Sequence, residues 1–181
     1  LMSSTPTYND MQLLKRRMFA MRNGVIADVL RKAGSKFQII FGLNLPQLAE
    51  IAADMPHSLE FAQQVWSNAT TRESMLIAPM LMPHGDFSQE LAEQWIAQVP
   101  EAEVADVLCL KLLRHMPYAY KFALSLIDDD DDMRRYAGLR LMCNLAPQHP
   151  AEAARIGEAE LKRNCPLTRQ AASVLQSYAD L

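Results

Sequence analysis

Glycine is scarce in this chain of 181 residues, which holds six. That is too few for the tight turns an antiparallel sheet demands. Aromatic residues are also sparse, at 7%, so the bulky side chains that fill strand-rich cores are missing. Cysteine occurs three times, as Cys109, Cys143 and Cys165, without metal or redox spacing. An odd count in helical surroundings points to reduced, buried thiols and a cytoplasmic protein. No apolar run approaches the ~20 residues of a membrane span, and no signal peptide is visible, so no membrane partner is expected. Phosphate-cradling glycine loops and nucleophile motifs are absent, and the four histidines sit in or beside turns; we expect neither cofactor nor metal. An excess of positive charge is lacking too. Eighteen Lys and Arg face 21 Asp and Glu, for a net charge of −3. That balance counts against indiscriminate phosphate gripping, although a local positive groove stays compatible with it.

What is present favours helix. Half the residues are apolar, with Ala, Leu and Met abundant, and the length suffices for one domain with a substantial core. Helix punctuation recurs throughout. Asn9-Asp10 precedes "MQLLKRRMFAM", which Asn23-Gly24 ends, and "VIADVLRKA" stops at Gly34. "FQIIFGLNL" (37–45) is ambiguous between strand and coil; it contains Gly42 and runs into Pro46, and we read it as a buried connector. From Ser58 the pattern becomes regular. Thr70-Thr71-Arg72-Glu73 has the form of a capping box opening "SMLIAPMLM", in which Pro79 should kink or end the helix. Asp86 and Ser88, Pro100, Pro117, the acidic run 128–132, Pro150 and Pro166 each open a further apolar-periodic segment. These segments pair into four helical hairpins of about 30 residues after residue 57. The expectation is one all-α domain over 1–181: an α-solenoid, a right-handed superhelix of HEAT-like hairpins with a concave face, its residues 1–8 disordered or extended.

Four segments in order resemble one family. "FGLNLPQLAEIA" (41–52) looks like a G-V-x-x-P-x-L-R-x-I-A segment, and "LEFAQQVWSNATTRESMLIAPML" (59–81) resembles an L-A-x-x-L-W-x-S repeat. "EQWIAQVPEAEVADVLCLKLL" (93–113) is similar to a stretch ending in W-D-x-x-D, and "MRRYAGLRL" (133–141) to an L-x-R-R-A-x helix. All four are features of the HEAT-like repeat DNA alkylation repair proteins, the AlkD-type alkylpurine DNA glycosylases. The resemblance implies a protein that binds duplex DNA, alkylated DNA included, and excises purines alkylated at N3 or N7. It puts Asp106 on the catalytic aspartate and Arg135 on a groove arginine; Arg134 and Lys111 are further candidate DNA contacts by their charge and position. The sequence departs from the pattern at Ala49, Met75 and Ala102, where the family carries two arginines and a tryptophan, and at Glu103, where it carries aspartate.

Asp106 is conspicuous without any family. On a helix it shares a face with Cys109, Leu110 and Leu113, where a carboxylate must be paired, capping or functional. Arg134 and Arg135 follow five consecutive aspartates, of which Asp132 is placed to cap the next helix. Two readings of the pair stand open: phosphate contacts, or cations held by the neighbouring acids. Trp66 and Trp95 suit packing anchors, and the eleven methionines suit core filling. Against the repair reading stands a non-catalytic helical-repeat module that binds a protein partner or a structured nucleic acid. The acidic balance and the three missing family side chains motivate it.

Overall fold

The computed structural model describes residues 8–181, so the expectation for the first residues falls, Tyr8 apart, outside the described residues. Eleven α-helices and no strand occur among the described residues. They divide into two compact units, residues 1–83 and 84–181. The first holds α1 (Asp10–Ala20), α2 (Gly24–Lys32), α3 (Leu45–Ala53), α4 (Leu59–Ser67) and α5 (Arg72–Leu81). The second holds α6 (Gln89–Gln98), α7 (Ala102–Lys111), α8 (Ala119–Leu126), α9 (Asp132–Leu145), α10 (Pro150–Leu161) and α11 (Arg169–Gln176). No helix among the described residues is long and apolar enough to cross a membrane.

The punctuation does its work locally. Asn9 and Asn44 each form a reciprocal capping box with the glutamine three residues on, and Asn23, Ser58 and Ser88 cap α2, α4 and α6 through their side chains. Each satisfies a backbone N–H that a helix start would leave orphaned. Pro46 and Pro150 occupy first turns, where their missing N–H costs nothing. Pro79 lies inside α5, which ends two residues later.

The segment 37–45 is a connector, as expected, with Phe37, Ile40 and Leu43 buried. It is tied to the start of α5 by a single parallel bridge: Ile39 N–H donates to Thr70 O and Arg72 N–H to Ile39 O, both at 3.0 Å. Gly42 has φ +89°, and a Cβ there would lie 2.3 Å from the Asn23 carbonyl oxygen, so a side chain is excluded twice over. The expected capping box at residues 70–73 is corrected. Thr71 is the N-cap but makes no side-chain capping bond. Glu73 instead turns inward, fully buried, and accepts from the N–H groups of Phe41 (2.8 Å) and Gly42 (3.1 Å). Arg72 pairs with that carboxylate and also donates to Leu43 O at 3.1 Å. A connector bent around a positive-φ glycine has backbone donors to satisfy, and Glu73 is the group within reach.

Three of the four expected hairpins pack closely helix to helix: α4 with α5, α8 with α9 and α10 with α11. Two glycines allow the last two to approach. A Cβ on Gly138 would meet Leu126 Cβ at 2.6 Å, and one on Gly157 would meet the Gln176 nitrogen at 2.4 Å. The fourth pair differs, since α7 packs mainly on α9 rather than α6. Small side chains explain the choice: Ala105 and Ala137 are buried, and Cys109 Sγ donates to the Ala137 carbonyl at 3.4 Å. On α6, by contrast, buried Trp95 stacks edge-on against Phe87. Trp66 is buried as well, so both tryptophans are packing anchors.

Replacing Glu73 by alanine takes the carboxylate away from a buried guanidinium and two backbone donors at once. We expect Glu73→Ala to lower unfolding stability by about 3–5 kcal/mol, measured as a shifted midpoint in urea titration.

Candidate functional site around Asp106

The site grows out of the α7–α9 contact. Asp106 sits in the second turn of α7, flanked by buried Ala105 and Val107, while Leu110, one turn on, is exposed. Its side chain is 37% exposed. The carboxylate therefore lies at the rim of the apolar stripe, neither sealed in the core nor free in solvent. From α9 the Tyr136 hydroxyl donates to Asp106 Oδ1 at 2.6 Å. Arg140, one turn further along α9, brings its Nε to 3.1 Å from the same oxygen. That nitrogen is buried and donates no well-aligned hydrogen bond, so the contact is an ion pair by proximity more than a directed bond.

Burial raises the Asp106 pKa above the usual carboxylate value; Tyr136 and Arg140 pull it back down, and Glu103 on the same face adds to the rise. Desolvation wins. Nearby thiols respond in the same sense: burial lifts Cys109 far above its ordinary value and Cys143 to about 11. Cys165 differs, its pKa lowered chiefly by the Thr168 hydroxyl. All three cysteines are free, but only Cys109 is fully buried. Among the described residues no cluster of three metal-ligating side chains occurs.

The other site residues separate. Arg135 is expected to reach a phosphate, and its placement corrects that: the side chain is 4% exposed and all three nitrogens are committed. Nε donates to Glu160 (2.9 Å), Nη1 to the Asp129 carbonyl (2.9 Å) and Nη2 to Asp132 (2.9 Å). Thr168 donates to the same Glu160 oxygen at 2.7 Å. Arg135 is thus an interior cation joining α9 to α10, and the acidic run supplies two of its acceptors. The cap of α9 is Asp131, which accepts from Arg134 N–H at 2.9 Å, one residue earlier than expected. Arg134 turns toward α6, pairing with Glu93 (3.0 Å) and Asp129 (2.9 Å) at partly exposed positions. Lys111, in the last turn of α7, is half-buried and has no ion-pair partner among the described residues.

The cation that does face Asp106 is Arg140. Its signal was in the sequence: Tyr136 and Arg140 are four apart and share a helix face, whereas Arg135 lies about 100° away from Tyr136. Matching the double arginine to a family pattern instead draws attention to Arg135, which is interior. Of the departures from that pattern, Met75 is buried and could not carry a solvated charge, while Ala49 is exposed.

The sequence matches a family described as DNA alkylation repair enzyme over residues 14–178. No match is found among curated proteins. Among solved structures, a similar one is described as a new family of proteins related to the HEAT-like repeat DNA glycosylases with affinity for branched DNA structures. It superposes with a TM-score of 0.82 at 15% identity, covering 94% of this chain and 75% of that one. The fold is therefore a HEAT-like helical repeat.

Two outcomes are expected. Removing the hydroxyl with Tyr136→Phe takes away a donor that favours the ionised carboxyl, so the Asp106 pKa should rise further, read by carbon-detected NMR titration. An acid whose folded pKa is raised contributes stability below its unfolded value and loses it as pH climbs through the folded one. The variant should accordingly lose more stability between acid and neutral pH than the parent. Arg135→Ala should cost about 3–5 kcal/mol in denaturation because Glu160 stays buried with the more exposed Arg163 as its remaining cation.

Proposed function

Because this chain belongs to the DNA alkylation repair enzyme family, we propose that it binds duplex DNA across the α7–α9 face and releases N3- or N7-alkylated purines there. The observation that carries the reading is the half-exposed Asp106 carboxylate held by Tyr136 and Arg140. Alkylation at N3 or N7 leaves the purine cationic, so its glycosidic bond is already weakened. As the C1′–N bond breaks, its electron pair neutralises the base and positive charge moves to the sugar. A carboxylate fixed in a partly desolvated place stabilises that charge more than water would. A water oxygen then bonds to C1′, and Asp106 accepts its proton. Tyr136 orients the carboxylate, and Arg140 holds its charge while reaching toward a phosphate. Lys111 and Arg134 supply further phosphate contacts. Arg134 gives up an exposed ion pair to do so, at a cost of about 1 kcal/mol or less. The two compact units act as one DNA alkylation repair domain, the family match spanning both.

A second reading keeps the DNA and drops the chemistry. Two observations favour it: Asp106 Oδ1 already has two cationic or acidic-proton partners, and Ala102 offers no π face to a cationic base, a contact worth ~0.5–2 kcal/mol. The chain is then a binder of structured DNA, as the similar solved protein is described to be.

Base release from duplex carrying 7-methylguanine or 3-methyladenine separates the two. The enzyme reading expects release by the parent protein, a fall of about a hundredfold or more in Asp106→Asn, and DNA affinity unchanged in that variant. Binding without release by the parent protein establishes the second reading. Loss of the salt dependence of binding in Arg140→Gln, by about one ion, would place Arg140 on a phosphate.

A further inference from the structure

The first unit carries a feature that the Asp106 site leaves unused. Six of the nine exposed large apolar side chains among the described residues lie between Leu13 and Ile39, a concentration unlike the single scattered exposures of an ordinary surface. α2 is the extreme case. Only Ala27 of its nine residues is buried, while Val25 is 73% exposed, Val29 56% and Ile26 41%. Val25, Val29 and Lys32 are spaced four and seven apart, so they line one side of that helix.

Phe19, at the end of α1, is also exposed, at 53%. Its ring stands edge-on to Phe41, centroid to centroid 6.4 Å, and the Phe41 carbonyl accepts from Asn23 N–H at 2.7 Å, at the cap of α2. The Arg22 guanidinium lies over the Phe19 ring at 3.9 Å from its centroid and is pinned by a hydrogen bond to Phe19 O at 3.0 Å. An exposed phenyl ring and a flat guanidinium are thus held together, and the ring is linked through Phe41 to the cap of the apolar helix α2. Charge points the same way. Residues 8–44 hold seven lysines and arginines against Asp10 and Asp28 alone, whereas residues 45–181 hold eleven against nineteen acids.

We propose that this α1–α2 face is a wedge for DNA whose stacking is interrupted, at a branch point, fork or flap. Phe19, Val25 and Val29 cover the unstacked bases, and Arg22 and Lys32 take the flanking phosphates. The inference rests on the nucleic-acid reading above and adds the surface by which the protein selects such DNA. An unstacked base presents an apolar π face that water serves poorly, and aromatic and aliphatic side chains replace its lost neighbour. A cationic rim then holds the backbone that the same opening exposes. A second copy docking through this face would set like charges against each other. An anionic lipid surface shares the charge preference, but it makes no use of the ordered Arg22–Phe19 stack.

The test compares a three-way junction and a blunt duplex of equal strand length by fluorescence anisotropy, with 2-aminopurine at the branch to report stacking. The full chain is used as parent and as the triple variant Phe19→Ser, Val25→Ser, Val29→Ser, whose changes fall on exposed positions; a thermal melt checks its fold. The parent should prefer the junction by at least about tenfold and alter the 2-aminopurine signal. The triple variant should lose both effects while its duplex affinity stands. Lys32→Ala should weaken junction binding and lower its salt slope by about one ion. An unchanged junction-to-duplex ratio in the triple variant overturns the wedge. So does a face that instead sediments with phosphatidylserine vesicles, or that forms dimers on a sizing column, when either behaviour is lost in the variant. Parent protein that binds duplex without preferring the junction defeats the wedge alone, whereas parent protein that binds neither DNA defeats the nucleic-acid reading with it.

Discussion

A guanidinium removed from water must find acceptors, and each of the three nitrogens of Arg135 has one: a side chain of α10, a side chain in its own first turn and a backbone carbonyl of the acidic loop. Breaking such an arrangement leaves an uncompensated charge in the interior. It therefore fixes how α9 is rotated about its own axis. With Arg135 turned toward α10, helical geometry sends Tyr136 and Arg140 round to the side where α7 lies, and there they meet Asp106. The geometry of the candidate site is set by a residue that takes no part in it.

The five aspartates acquire a meaning from the same constraint. Asp131 caps α9, Asp132 and the Asp129 carbonyl receive Arg135, and the Asp129 side chain receives Arg134. Burial of one cation, termination of one helix and the pairing of Arg134 account for three of the five. In the first unit a comparable pairing, Arg72 with Glu73, holds the connector by its backbone donors. Among the described residues each unit thus contains an interior ion pair, Arg72–Glu73 in the first and Arg135–Glu160 in the second.

Much of this was legible in the sequence, and the boundary of legibility has a physical cause. Prolines and Asn or Ser caps act through neighbours within four residues, so α1 to α11 could be placed from local pattern alone, as could the buried connector around Gly42. Trp66 and Trp95 fell on apolar stripes and are core. What local pattern does not carry is the rotation of a helix within its bundle. Arg135 and Arg140 differ by only about 140° around α9, yet one is interior and the other meets Asp106. Glu73 satisfied the spacing of a capping box, but the donors of a connector more than thirty positions earlier in the chain competed for it and won. Asp106 lay between: its helix position marked it as exceptional, while its partners came from a helix thirty residues on.

The thiols near the site carry a last implication. Methylating agents attack proteins as well as DNA, and the species they capture is the thiolate. Burial keeps Cys109 protonated, and Cys143 is nearly so, with its pKa pushed to about 11. The helix contact beneath Asp106 is thereby chemically quiet toward electrophiles. Cys165, softened by Thr168 and only partly covered, is the sulfur that such a reagent would reach first, and it lies beyond α10, on a segment that contributes nothing to the carboxylate's grip.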